Sequence, residues 1–196
     1  MLCWQSPSVY LQQTQQPDRA RANPKTTMNQ IQSQVFPTTR GARFSDDRRY
    51  RYELWRFWDE SKSPILFTLL NPSIADEDTN DATIERCQRR AQLLGYGGLI
   101  VCNIFAFCST SPGKLYQVDD PVGQDNDRVL LARAKTAGLV VCGWGTHGAF
   151  KGRGPAVLAM LRANAITPYA LKINADGSPQ HPLYVGYNVA PIPIPA

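Results

Sequence analysis

The chain has little of what builds metal centres and nothing long enough to cross a bilayer. Only two histidines occur in 196 residues, His147 and His181. The five cysteines (Cys3, Cys87, Cys102, Cys108 and Cys142) are odd in number, and no two form a Cys-x-x-Cys pair or a zinc-like spacing. A disulfide framework, a zinc ribbon and an iron–sulfur cluster therefore lack their sequence basis. Cys102 and Cys142 fall in apolar runs, where a free thiol behaves as a small hydrophobe. No apolar run approaches the roughly 20 residues needed for a membrane span. Met1 to Gln16 lack the basic start and apolar centre of a secretion signal. The expectation is a cytoplasmic protein with no membrane association, no metal, no cofactor and no obligate protein partner.

Acidic residues are nearly missing from the last third. Residues 128–196 carry seven Lys/Arg and one Asp/Glu, residues 1–51 carry eight and three, and residues 52–127 carry six and twelve. A basic start, an acidic middle and a basic end point to an acidic partner, nucleic acid being the commonest. The alternative is that the charges lie on solvated faces.

What is present is an alternation of strands and helices. Residues 1–40, rich in Gln, Pro, Thr and Ser, read as a flexible polar and basic arm, with Met28 an alternative start. A single α/β domain is expected over residues 41–188, and residues 189–196 form a Pro-rich tail, extended or frayed. Arginines at 40, 43, 48, 49 and 51 lead into an alternating strand from Tyr50 to Trp58, read as an edge or hairpin strand. Further strands are predicted over 64–70, 98–104, 138–142 and 168–172, with helices over about 82–94, 124–137 and 154–164. Strands this uniformly apolar, with helices between them, predict a mostly parallel sheet of about four strands in a three-layer α/β/α sandwich.

Right-handed crossovers then bring the loops after the strands to one edge. The first of these opens on Asn71-Pro72-Ser73, where proline ends the ladder and holds Asn71 at a strand's carboxyl end. The others carry Asn103-Ile104-Phe105, Gly143-Trp144-Gly145 and His181-Pro182-Leu183-Tyr184.

With Leu70-Asn71-Pro72-Ser73, Gly95-Tyr96-Gly97-Gly98, Asn103-Ile104-Phe105-Ala106, Asp120-Pro121-Val122-Gly123, Gly143-Trp144-Gly145 and His181-Pro182-Leu183-Tyr184 in this order, residues 50–187 resemble a family of bacterial and phage proteins known as DUF1643. More loosely, the order and placement resemble the uracil-DNA glycosylase superfamily. That resemblance implies that Asn71 positions an attacking water and that His181 donates to the leaving base. It also implies that Asn103 reads a pyrimidine edge and that Leu183 or Tyr184 wedges into the helix. The chain departs from the superfamily in lacking the leading glycine of the first motif and the serine after His-Pro. Asn replaces the stronger base Asp, and Ser73 stands where some members use tyrosine to exclude substituents at pyrimidine C5, which implies a larger pocket.

The residues suit that chemistry. Glycosidic cleavage needs a donor to the departing base, an oriented water and a way to hold an unstacked nucleotide. Catalytic candidates are Asn71 and His181. Base-binding candidates are Pro72, Ser73, Asn103, Phe105, Phe107 and Trp144, the aromatics as stacking surfaces. Candidates to contact DNA are Arg43, Arg48, Arg49, Lys151, Arg153, Leu183 and Tyr184. Each residue also has a structural reading: Asn71 as the cap of a polar turn, Asn103 as a partner for backbone, Phe105 and Phe107 as core. Cys142 with His147 offers a thiol–imidazole pair, and the run Asp76, Glu77, Asp78 and Asp81 a cation site or a helix start.

The expected activity is a monofunctional DNA glycosylase acting on a pyrimidine-type base, in duplex DNA with the base flipped or in a single strand. A bulky modified base of phage DNA is one candidate target, implying antiviral defence. No lysine sits in either motif, so no lyase step is expected. The alternatives are a hydrolase or transferase of free nucleosides or nucleotides, and a non-catalytic nucleic-acid-binding module.

Overall fold

The computed structural model describes residues 40–195. Residues 1–39 of the expected arm, with Met28 and Cys3, lie outside the described residues.

Seven strands form one mixed sheet: β1 (Arg40–Phe44), β2 (Arg51–Phe57), β3 (Pro64–Leu69), β4 (Gly98–Asn103), β5 (Leu139–Cys142), β6 (Pro168–Ala170) and β7 (Ile192–Pro193). Their order is β1-β2-β4-β3-β5-β6-β7. The middle four pair in parallel, and β1, β2 and β7 add antiparallel pairings at the two sides. Three α-helices connect the parallel strands: α1 (Ala82–Leu93), α2 (Asn126–Thr136) and α3 (Arg153–Ala163).

The sheet is thus wider than the four strands expected. Arg40–Phe44 reads as a charged lead-in but forms the edge strand β1, so β2 is an inner strand. The tail is not frayed: β7 pairs with β6, and Ile194 N–H donates to Pro168 O at 2.9 Å. Proline cannot donate to a ladder, which suits Pro193 to the short outermost strand where it lies.

Continuous burial of β3 and β4 follows from helices on both faces. Leu66, Ile100, Cys102, Val140 and Cys142 pack with Leu130 and Ala134 of α2 and Val157 and Leu161 of α3. Ile65, Phe67, Leu99, Val101 and Val141 face the other way, onto Ile84, Cys87 and Ala91 of α1. A period-two strand buried on both faces must be apolar throughout. Asp81 starts α1 by accepting the N–H groups of Thr83 and Ile84 at 2.9 Å each. Neighbouring strands β3 and β5 send their following helices to opposite faces, so their loops diverge and open a crevice at the carboxyl ends.

Among the described residues, no helix is long and apolar enough to cross a membrane.

Candidate active site

At that crevice lies a cavity of about 530 Å³, lined from all four post-strand loops. The loop after β3 contributes Asn71 and Ser73, the end of β4 Asn103, the loop after β5 Trp144 to His147, and the loop after β6 Asn174, Gln180, His181, Leu183 and Tyr184. Its size lies within the range of small-molecule sites, about 300–1,000 Å³.

Asn71 is fixed by its amide. Nδ2 donates to Ser109 O at 2.7 Å and to Pro72 O at 3.0 Å. Both partners are carbonyls, so the atom facing them must be the nitrogen, and the side chain has only Oδ1 to offer a ligand. It is an acceptor held in place, as the orienting of a water requires.

His181 is placed by two neighbours. A Cβ at Gly143 would stand 2.8 Å from Pro182 Cδ, so only glycine lets the His-Pro turn close onto the end of β5. From α1, Arg86 donates to Pro182 O at 3.0 Å and Val185 O at 2.7 Å, while Arg90 donates to Val185 O, Gly186 O and Val189 O. The Leu183 N–H donates to His181 Nδ1 at 3.4 Å, which puts the ring proton on Nε2. Burial holds the imidazole pKa below its usual value, against the opposing pull of the Asp81 carboxylate. His181 is therefore a neutral donor at pH 7.

Asn103 is 2% exposed, and its Oδ1 has no partner among the described residues although it lines the cavity. Gln180 Oε1 is in the same condition. Buried acceptors left open in a cavity wall are costly unless something fills them. Trp144 is 4% exposed, and its indole lies where a Cβ at Gly148 would fall, 2.0 Å from Cδ1. Tyr184, 76% exposed, stands at the rim with its ring 6.0 Å from that of His181.

Other expected residues lie elsewhere. Phe105 is wholly buried in the core, Phe107 packs edge-on to Tyr50, and neither lines the cavity. Pro72 is buried behind Asn71, its carbonyl accepting from Ser109 N–H. Arg153 is a correction: it is buried, pairs with Asp127 and donates to Ile104 O at 2.7 Å, so it braces β4 rather than reaching for phosphate. Arg48 forks onto Glu77 at 3.0 and 3.2 Å, and Arg43 lies 3.6 Å from Glu53. Arg49 and Lys151 are exposed, Lys151 donating to Asp119 O at 2.8 Å. The basic lead-in and the acidic middle thus answer each other within the fold, a pairing that segment charges alone conceal.

The acidic run is likewise internal. Asp76 accepts from the Asp78 and Thr79 N–H groups, Asp78 pairs with Arg40, and Asp81 caps α1. Cys142 is sealed in the core with its thiol pushed up by burial, while His147 Nδ1 meets the Tyr116 hydroxyl at 2.9 Å, so the two form no nucleophilic pair. Sequence reasoning missed Arg51, Asp81, Asn174 and Gln180 in the lining, and Arg86 and Arg90 behind it. The i, i+4 spacing of Arg86 and Arg90 on a helix was the available signal.

A mixed α/β domain with a cavity at the carboxyl ends of its parallel strands has the layout of the open-sheet class, whose ligand sites occupy that position. The family model described as a protein of unknown function, DUF1643, matches residues 51–183, and the chain belongs to that family. No curated protein and no solved structure matches it.

Proposed function

We propose that the protein is a DNA glycosylase with a uracil-DNA glycosylase-like α/β/α fold, hydrolysing the N-glycosidic bond of a flipped pyrimidine-type base. The observation that carries this reading is the meeting of Asn71, Asn103 and His181, from two loops and a strand end, on one cavity. Asn71 Oδ1 accepts a hydrogen bond from the attacking water and aims its oxygen at C1′. The C1′–N bond breaks, and its electron pair leaves with the base. His181 Nε2–H stabilises the charge that develops on a base oxygen. The Asn103 carboxamide supplies a donor and an acceptor to the base edge, and Tyr184 at the rim supports the wedge. Water provides the hydroxyl left on the sugar and the proton taken up by the base. Ser73 in the cavity wall supports a substrate bulkier than uracil, such as a modified base of phage DNA.

The test is abasic-site formation on unmodified, uracil-containing and modified phage DNA. The expected result is cleavage that falls about a hundredfold or more in Asn71→Ala and in His181→Ala, while DNA binding survives. Absence of abasic sites on all three DNAs, or undiminished activity in both variants, rejects the reading.

One observation favours a second reading, a hydrolase of free nucleosides or nucleotides. Arg43, Arg48 and Arg153 are each engaged by a carboxylate of the chain itself, which leaves fewer cations to track a DNA backbone. Release of free base from nucleosides, with duplex binding weak and insensitive to salt, would select it.

A further inference from the structure

Among the described residues four arginines are buried: Arg51, Arg56, Arg90 and Arg153. Three are well supplied with acceptors. Arg90 donates to the carbonyls of Val185, Gly186, Tyr187 and Val189. Arg153 has the Asp127 carboxylate and Ile104 O. Arg56 has Asn80 Oδ1 and the carbonyls of Trp55 and Asp76. Arg51 differs. It is 2% exposed, its hydrogen bond runs from Nη1 to Ala75 O, and its buried Nε has no partner, a lack it shares with Arg90, which has four carbonyl acceptors besides. No carboxylate among the described residues lies within ion-pair range of it. Of the four, Arg51 is also the one that lines the cavity.

A bulge puts it there. The β1–β2 register runs Arg43↔Glu53 and then Phe44↔Arg51, so one residue of β2 is extra. Tyr52 and Glu53 both turn toward α2, Tyr52 packing with Val129 and Glu53 pairing with Arg133. Arg51 is thereby re-aimed to the opposite face, beside the loop after β3. Its positive charge enters the cavity with little to offset it. The Asp81 carboxylate shares the lining and offsets part of the Arg51 charge, but from beyond ion-pair range, with its Oδ1 held by two N–H groups of α1. An uncompensated buried charge is expensive, and a ligand that carries the counter-charge removes that cost.

We infer that Arg51 is a specificity-determining residue that binds an anionic oxygen of the ligand, while Asn103 Oδ1 and Gln180 Oε1 accept from the ligand's donors. The ligand class is an anionic pyrimidine derivative, its charge borne either by a ring carboxylate or by a nucleotide phosphate. For the pyrimidine ring this rests on the base-excision reading; the anion requirement rests on Arg51 alone.

The full chain is titrated with uracil, 5-carboxyuracil, the methyl ester of 5-carboxyuracil, deoxyuridine and deoxyuridine 5′-monophosphate, following tryptophan fluorescence. The expected result is that 5-carboxyuracil binds about ten- to a hundredfold tighter than uracil or the neutral ester, a preference kept in Arg51→Lys and lost in Arg51→Gln. The same Arg51-dependent gain for the monophosphate over deoxyuridine, without one for 5-carboxyuracil, supports the site and assigns the anion to phosphate. Equal affinities for charged and neutral probes in the wild-type protein, or no binding of any probe at millimolar concentration, overturn the inference. The comparison of ester with acid uses wild-type protein, so it holds even if Arg51→Gln fails to fold. Abasic-site formation with no charge preference sinks this inference alone. A charge preference without abasic sites sinks the excision reading alone.

Discussion

The two loops that face each other across the cavity are held by different parts of the molecule. The Asn-Pro loop, residues 71–81, is tied to the β1–β2 hairpin: Arg48 grips Glu77, Arg56 reaches Asp76 O and Asn80, and Arg51 reaches Ala75 O. The His-Pro loop, residues 179–189, is tied to α1, with Arg86 and Arg90 spanning five of its carbonyls. Buried guanidinium groups anchor both loops, Arg51 and Arg56 the first and Arg90 the second, but the first also leans on the exposed Arg48–Glu77 pair, whereas the second adds the half-buried Arg86. The Asn-Pro side thus has one exposed clamp that adjusts cheaply, and the His-Pro side is the more rigid in its clamps. The difference teaches that much of the basic character is structural, because guanidinium groups can satisfy several carbonyls at once.

Breaking the rigid side should have the largest effect on stability. Arg90→Met leaves the carbonyls of Gly186, Tyr187 and Val189 without a charged donor, Val185 O keeping Arg86, and a loss of about 3 kcal/mol or more is expected from urea denaturation. Gly143→Ala attacks the same loop from β5. The new methyl must displace Pro182 or Gln180, and a cost of about 1–3 kcal/mol is expected, with a fall in activity larger than that fall in stability implies. An activity unchanged by this variant would show that the close approach of the His-Pro turn to β5 is dispensable.

The pH dependence sharpens the comparison further. The folded-state pKa of His181 lies below the ordinary 6.5, because burial disfavours its charged form. The unfolded chain therefore takes up the proton first. The stabilising contribution is fully present above about pH 6.5 and is lost as the pH falls through that value toward the depressed one. Activity should stay flat from pH 8 to about 6.5 and change only below, and His181→Gln should remove that limb of the profile. On the adjustable side, Arg48→Ala deletes an exposed pair and should cost less than about 1 kcal/mol, further reduced by salt.

Much of the frame was legible in the sequence. The core strands and all three helices have their expected places within a residue or two, since apolar periodicity is a local signal. The gathering of Asn71, Asn103, Trp144 and His181 at one edge was legible too, because right-handed connections leave little choice. The role of the arginines was not. Arg48 follows two aspartates and Arg153 lies between two glycines, yet neither setting tells that Arg153 braces the end of β4 from inside while Arg48 lies on the surface.

The sequence by itself determined the order of strands and helices, the strand-end asparagines and the His-Pro turn, for these follow from period, proline geometry and chirality within short windows. Only the tertiary structure decided which charges are paired internally and which face the cavity. Charge pairing links residues far apart in the chain, Arg48 to Glu77 and Glu53 to Arg133. Arg51 depends on one extra residue in β2, which turns a side chain that strict alternation would place beside Glu53 into the cavity instead.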